Sequence, residues 1–166
     1  MSISPLNDEL AELCESQFGQ MGYIKPPGYF DACLIRQTGG ELVMFVAHVD
    51  EQYLGHAKLV WHPGYPPFRK AGIPEIQDLN VLPRYRTQGI GTTLITTCED
   101  LARPRSDTIG IGVGLHPGYN AAQKLYSKIG YVLDGNGVHY DHLPVREREF
   151  YRFDDKLIIY FTKRLR

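Results

Sequence analysis

The stretch from Leu79 to Thr92 has the residue types needed to bind a phosphate-bearing ligand. It passes from strand-forming residues through a turn into a helical pattern. The first turn of a helix leaves up to four backbone N–H groups without partners, and the helix dipole adds positive potential there. Gly89 and Gly91 carry no Cβ that would keep a diphosphate from these groups, and Arg84 and Arg86 flank the turn. The segment therefore predicts a diphosphate site at the start of a helix.

Two other phosphate-binding motifs do not fit this chain. A P-loop needs a lysine directly after its last glycine, and none follows Gly91. The dinucleotide fingerprint G-x-G-x-x-G would need a third glycine where Leu94 stands. The alternating glycines from Gly110 to Gly114 also miss that spacing. The alternative interpretation of the turn is purely structural: two glycines that make a tight passage from strand to helix.

The run Arg86-Thr87-Gln88-Gly89-Ile90-Gly91 resembles the (Q/R)-x-x-G-x-(G/A) motif of the GNAT superfamily of acyl-CoA N-acyltransferases. A second segment, from Ala122 to Tyr131, is similar to the A-x-x-L-Y-x-x-x-G-[FY] segment of that superfamily. The resemblance extends over residues 42–162 and is strongest between Glu75 and Tyr131. It implies a GNAT fold and transfer of an acetyl group from acetyl-CoA, the co-substrate, to a primary amine by direct attack.

The resemblance also implies which residues hold the cofactor. The backbone of Leu79, Asn80 and Val81 would pair with the pantetheine arm like an added strand. The pyrophosphate would be held by the turn itself, namely Arg86, Thr87, Gln88, Gly89, Ile90, Gly91 and Thr92. One position departs from the superfamily pattern, because Tyr119 stands where many members have asparagine and Asn120 comes one place later. No metal ion is expected.

Acyl transfer to an amine makes two demands on the protein. The amine must lose its proton, which at a pKa of ~10.4 costs about 4.6 kcal/mol at pH 7, and the departing thiolate needs a proton or a hydrogen bond. By the resemblance, Tyr126 is the acid, since a phenol with a pKa of ~10 stays protonated at neutral pH. The same spacing with Ala122 and Ile129 also fits a core tyrosine on an amphipathic helix. The backbone N–H of Val81 could polarise the acyl carbonyl.

Two carboxylates, Glu75 and Asp78, are candidates for the base. Both stand on the predicted strand before the glycine turn, where superfamily members place acidic residues. Strand alternation puts them on opposite faces unless a bulge intervenes. The choice between Glu75, Asp78 and a water chain stays open, and His116, after the next strand, is a further candidate or a surface histidine.

Hydrophobic patterns and breakers predict the elements that position these residues. We expect helices over 5–18, 29–36, 89–103 and 118–129, strands over 42–49, 53–61, 75–81, 108–115, 131–133 and 157–162, and an irregular loop over 62–72. This order predicts a single α/β (mixed α+β) domain over residues 1–166, with a mostly antiparallel mixed sheet, a central parallel pair and flanking helices. The alternating glycines of 108–115 suggest that another backbone or a ligand approaches closely.

Composition excludes several function classes. A net charge of −1 over 166 residues, without a basic stripe, argues against nucleic acid as a partner. The three cysteines form neither a disulfide framework nor a zinc pattern. No apolar run is long enough to span a membrane, and the N-terminus lacks a signal-peptide pattern, so a cytoplasmic location is expected.

The expected acceptor is a small-molecule or peptide amine, and the sequence leaves its identity open. It also leaves open which acyl chain is preferred and whether the protein forms a homodimer. Aromatic residues that could line its pocket are Tyr23, Tyr29, Phe30, Trp61, Tyr65 and Phe68. Two rival functions remain. One is an acyl-CoA-binding regulatory or interaction domain without turnover, and the other is acylation of an aminoacyl-tRNA, which the lack of a basic surface disfavours.

Overall fold

The computed structural model describes residues 1–165. The elements in chain order are β1 (Ser2–Pro5), α1 (Asp8–Gln17), α2 (Tyr29–Thr38), β2 (Leu42–Val49), β3 (Gln52–Val60), α3 (Pro66–Ala71), β4 (Glu75–Val81), α4 (Ile90–Ala102), β5 (Thr108–Gly114), α5 (Asn120–Lys128), β6 (Val132–Tyr140), β7 (Leu143–Pro144) and β8 (Leu157–Arg164). Short 3₁₀ helices span Phe18–Met21, Pro83–Tyr85 and Pro117–Tyr119. The chain divides into two compact units, one of Met1–Val60 with Ile76–Leu101 and one of Trp61–Glu75 with Ala102–Arg166.

The first unit holds the strands in the order β1-β2-β3-β4, with β2 antiparallel to both β1 and β3. Helix α1 begins at Asn7, whose side chain accepts the backbone N–H of Leu10 at 2.8 Å and so satisfies one free donor of the first turn. Helices α1 and α2 share one hydrophobic cluster with the strands. Its buried members include Leu10, Phe30 and Met44. This packing fixes the two helices against the strands.

The second unit holds the strands in the order β5-β8-β6-β7, with β8 antiparallel to both β5 and β6. The rings of Tyr65 and Tyr160 stack in its core with centroids 3.6 Å apart. The alternating glycines of β5 make room for rings of the protein itself. A Cβ at Gly110 would overlap the ring of Phe68, and one at Gly114 would overlap the ring of Tyr119.

Several predicted elements are confirmed with the same bounds, notably β2 and β4. The predicted irregular loop over 62–72 is wrong, because it contains α3. Pro66 and Pro67 stand at the first two positions of this helix, where a missing N–H costs nothing. The first helix begins at Asp8 rather than at residue 5, and the short strands β1 and β7 were not expected. A single domain stays a prediction.

Candidate active site

The glycine turn joins β4 to α4 in the first unit. Thr87 and Gly89 adopt left-handed backbone, with φ of 63° and 84°. A Cβ at Gly89 would have no atom within 4 Å, so the space beside this residue is open. The carbonyl of Gly89 accepts the N–H of Thr93 at 3.0 Å and closes the first turn of α4. The N–H groups ahead of Thr93 have no acceptor within the helix, as an anion site requires.

Hydrogen bonds within the turn hold its shape. Arg86 Nε donates to the carbonyl of Val81 at 3.1 Å, and Gln88 Nε2 donates to the carbonyl of Arg84 at 3.3 Å. Ile90 is buried and anchors the start of α4, whereas residues 86–89 are exposed. These contacts tie the turn to the end of β4 and to the 3₁₀ helix before it.

A groove of about 780 Å³ lies beside the turn. It is lined by Met1, Val49, Asp50, Glu51, Gln52, Leu54, Tyr85, Gln88 and Ile90. Asp50 and Glu51 bring negative charge to this groove and would repel a diphosphate. Gln88 and Ile90, the two neighbours of Gly89, both line the groove.

Asp78 interrupts β4 with a φ of 54°, a left-handed conformation that breaks strand alternation as a bulge does. Its carboxylate accepts four donors. Oδ1 accepts from Lys25 and from Asn80 Nδ2, the latter at 2.8 Å. Oδ2 accepts from the hydroxyl of Tyr29 and from His56 Nε2, the latter at 3.1 Å. All five residues lie in the first unit.

These neighbours set the protonation of the cluster. Burial opposes ionisation of Asp78, but the hydrogen bond and charge of His56, and after them those of Lys25, outweigh burial and hold the pKa of the carboxyl well below its usual range. Burial first, and then the charge of Asp78, raises the pKa of the Tyr29 phenol far above its ordinary value. Asp78 is therefore ionised, and its tendency to take a proton from an amine is low.

Glu75, the other candidate base, begins β4 and belongs to the second unit. It is 4% exposed. Its charge contributes to the raised pKa of Tyr160, for which burial is the larger cause. Glu75 is thus a buried carboxylate with aromatic neighbours, a setting different from the cationic surroundings of Asp78.

Tyr126, the candidate acid, lies on α5 and is 4% exposed. Its ring packs near those of Tyr131 and Phe161, with centroids 6.1 and 6.3 Å away. Burial, and to a smaller extent Tyr119, raises the pKa of its phenol, which keeps the proton on the oxygen. Its hydroxyl has no hydrogen bond to another group within residues 1–165.

The other sequence-predicted residues differ in exposure. His116 Nε2 donates to Asp155 at 2.9 Å and its Nδ1 accepts the N–H of Gly118, which makes it one half of a surface pair. Asn120 is exposed at the start of α5. Of the aromatic residues expected to line an acceptor pocket, the four that are buried are Phe30, Trp61, Tyr65 and Phe68. Tyr23 and Tyr29 retain exposed surface.

Lys25, His56 and Lys58 are site residues that the sequence did not single out. Lys25 comes from the segment between α1 and α2, and the other two from β3. The available signal was a histidine and a lysine two positions apart, on one face of an otherwise apolar strand.

Residues 1–165 show neither a cluster of metal ligands nor a membrane-spanning helix. No group of three or more histidine, cysteine, aspartate or glutamate side chains there could hold a metal ion. Within the same range, no helix has both the length and the apolar character to cross a bilayer.

Comparison with known sequences decides the family. The pattern of the acetyltransferase (GNAT) family matches residues 7–131. The chain belongs to this family. It is accordingly a transferase, and acyl transfer is its class of chemistry. No curated protein matches the chain.

Solved structures support the GNAT fold. A GNAT-family protein from Desulfovibrio desulfuricans superposes with a TM-score of 0.74 at 16% identity, and 99% of each chain is covered. An aminoglycoside 6'-N-acetyltransferase complexed with coenzyme A gives a TM-score of 0.65 at 19% identity, covering 99% of this chain and 97% of the other. A ribosomal-protein-alanine N-acetyltransferase from Brucella melitensis gives 0.68 at 18% identity, covering 99% and 100%. The predicted mixed α/β GNAT fold is confirmed, and at these identities the likeness extends to the fold alone.

Proposed function

We propose that this GNAT protein transfers an acetyl group from acetyl-CoA to a primary amine by direct attack. One observation carries the proposal: residues 86–89, which lead into α4, are exposed, and the space beside the left-handed Gly89 is open. Free N–H groups at a helix start suit the diphosphate of coenzyme A. Leu79, Asn80 and Val81 would contact the pantetheine arm through their backbone, and the residues from Arg86 to Thr92 would hold the diphosphate.

The acid and base follow from the protonation states at the site. Tyr126 is protonated at neutral pH and its hydroxyl has no hydrogen-bond partner within residues 1–165, which supports its role as the donor to the thiolate. Glu75 or a water chain is the better candidate for the base, because the cationic neighbours of Asp78 weaken it as a proton acceptor. The N–H of Val81 would polarise the acyl carbonyl.

The acceptor is a small-molecule or peptide amine. The structural neighbours named above act on an aminoglycoside and on a ribosomal-protein alanine, so this fold alone does not choose between acceptors. A cytoplasmic location and a homodimer are kept as predictions from the sequence.

A thiol-release assay tests the enzyme proposal. Acetyl-CoA is mixed with the protein and a panel of primary amines, and free coenzyme A is measured together with the acetylated amine. Production of both supports the proposal. Tight binding of acetyl-CoA without thiol release on any amine would instead favour the regulatory binding domain.

A matched pair of glycine variants tests the cofactor site. Gly89 and Gly135 have nearly the same backbone, with φ of 84° and 85°, and open space beside each. Valine therefore adds comparable strain at both positions. We expect Gly89→Val to weaken coenzyme A binding at least tenfold and Gly135→Val to change it less than twofold. Equal effects would remove the diphosphate site from this turn.

A further inference from the structure

The ammonium group of Lys25 is enclosed by one carboxylate and two aromatic rings. Its Nζ pairs with Asp78 and lies 4.6 Å from the ring centroid of Tyr29 and 5.4 Å from that of Phe18. The Lys25 side chain is 17% exposed. A carboxylate combined with aromatic faces is a favourable environment for an alkylammonium ion, through charge and cation–π attraction. We call Asp78, Tyr29 and Phe18 the ammonium box.

The ammonium box does not depend on Lys25 for its shape. Tyr29 and His56 donate to one oxygen of Asp78, and Asn80 Nδ2 donates to the other at 2.8 Å. Tyr29 lies on α2, His56 on β3 and Asn80 on β4, all of them regular elements. The hydroxyl of Tyr53 also contacts His56 Nδ1 at 2.7 Å, which fixes the imidazole from its other side. The carboxylate thus stays oriented by three donors when Lys25 leaves.

Lys25 itself comes from an irregular segment. This segment runs between Gly22 and Gly28, which have left-handed backbone with φ of 88° and 75°. The neighbouring Ile24 is 83% exposed, so it gives the segment little burial. Tyr23 donates its hydroxyl to Asn80 Oδ1 and holds the start of the segment. Changed dihedrals between Ile24 and Gly28 would therefore carry Lys25 out of the ammonium box while this bond stays in place.

Because of the positive charge already present at the ammonium box, an incoming cation has to replace Lys25. Lys58 Nζ already donates to the hydroxyl of Tyr29 at 2.9 Å, so the region holds two lysines against one ionised carboxylate. A third cation beside them would be repelled. Exchange keeps the charge balance unchanged.

The same electrostatics say which amine would enter. An ammonium ion paired with an ionised carboxylate is favoured in its protonated form. An amine held there is therefore unable to attack a thioester. The site suits a second amino group, one that anchors the acceptor while another amine reacts.

We propose that the ammonium box is an acceptor-binding site, occupied by Lys25 in the free protein, which receives a non-reacting ammonium group of an acceptor carrying two or more amines. This proposal rests on the proposed acetyltransferase function for the reacting amine. The binding of the anchoring amine does not require turnover. Its test can therefore be separated from the test of catalysis.

Calorimetric titration with n-butylammonium chloride, which copies the end of a lysine side chain, tests the site directly. We expect Lys25→Ala to bind this probe at least tenfold more tightly than the parent, and Lys25→Ala with Asp78→Asn to lose that gain. Uncharged 1-butanol serves as the control ligand. Lys156→Ala serves as the control variant, because it removes one lysine that pairs with Asp141 and not with Asp78. If Lys25→Ala and the parent bind the probe equally, the proposal is wrong.

Lys25→Ser covers the case in which the alanine variant does not fold, since serine is a short polar residue that suits an irregular segment. It should give the same gain for the probe, and an absence of gain in folded Lys25→Ser would also overturn the proposal.

A kinetic experiment compares α,ω-diamines of three to eight carbons with monoamines of equal length. Lys25→Ser should lower KM at least tenfold for a diamine of suitable length and less than twofold for the monoamines. Probe binding without any acetyl transfer would refute the catalytic function while leaving the ammonium site standing. Acetyl transfer without probe binding or diamine preference would refute the ammonium site while leaving the catalytic function standing.

Discussion

Replacing Asp78 by asparagine removes one negative charge from the centre of the polar cluster while leaving the backbone undisturbed. Asp78 has a φ of 54°, and asparagine tolerates left-handed backbone better than other residues except glycine. The amide has nearly the same shape as the carboxylate. The substitution therefore measures the interaction of the charge with Lys25 and His56, without backbone strain.

The magnitude follows from burial. Breaking a fully buried ion pair costs about 3–5 kcal/mol, and exposed pairs are worth ~0–1 kcal/mol. The side chains of Lys25 and Asp78 are 17% and 12% exposed, close to but short of full burial. We therefore expect Asp78→Asn to lower the free energy of unfolding by about 2–3 kcal/mol at pH 7. For a chain of this size, that loss corresponds to roughly 4–12 °C in Tm.

The pH dependence has a definite sign. Since the pKa of Asp78 is lower in the folded than in the unfolded protein, its stabilisation is complete above the unfolded value of ~3.9. It is lost as the pH falls below that value, by about 1.4 kcal/mol per pH unit. The difference between parent and Asp78→Asn should thus be constant from pH 7 to 5 and about 1 kcal/mol smaller at pH 3.

Urea unfolding at pH 7, 5 and 3, followed by circular dichroism, measures these differences. Asp141→Asn is the matched control. Asp141 also has left-handed backbone, with a φ of 50°, but its pair with Lys156 is 59% and 57% exposed at the two side chains. It should cost less than about 0.5 kcal/mol at every pH. A loss for Asp78→Asn that is as small as the control, or independent of pH, would refute the reasoning.

Three further predictions concern single residues. Tyr126→Phe should lower kcat at least tenfold on a true acceptor, with little change in the KM for acetyl-CoA, when thiol release is measured. Turnover within twofold of the parent would show that Tyr126 is not the acid. Gly110→Ala should lower the free energy of unfolding by about 1–3 kcal/mol, because its Cβ would overlap the ring of Phe68. Urea unfolding that matches the parent would show that the core can accommodate the added methyl group. Asn7→Ala should cost about 1 kcal/mol by loss of the cap on the N–H of Leu10, and a cost near zero would mean that the cap contributes nothing.

Local signals in the sequence predicted the strand, turn and helix around Gly89 well. Gly89 and the following helix stripe depend on neighbours a few residues apart, so spacing alone located the turn. The strand that carries Glu75 and Asp78 was likewise bounded correctly by its own residues and by Pro83. In such segments the secondary structure is set by nearby residues.

The polar cluster around Asp78 was beyond local patterns. It joins Lys25, Tyr29 and His56 to a residue on β4, across sequence separations of 53, 49 and 22. Hydrophobic periodicity shows which face of a strand is buried, but it does not show which helix packs against that face. The sequence therefore offered Asp78 as a base, whereas its partners favour a role in holding a cation.

The helix α3 and the glycines of β5 were misjudged for related reasons. Two prolines favoured an irregular loop, yet they stand where a helix begins and Phe68 packs behind them. The ring of Phe68 then fills the space left by Gly110. The contact between Phe68 of α3 and Gly110 of β5 explains both the helix and the glycine. The sequence of either segment by itself does not reveal this contact.

The central claim is that the free amides at the start of α4 bind the diphosphate of coenzyme A. Nuclear magnetic resonance tests it residue by residue, by following backbone N–H signals of ¹⁵N-labelled protein during titration with coenzyme A. The account predicts that the amides from Thr87 to Thr92 show the largest shifts, and that pantetheine, which lacks the diphosphate, leaves them nearly unmoved. If coenzyme A binds while the Gly89 and Gly91 signals stay in place, the account is contradicted.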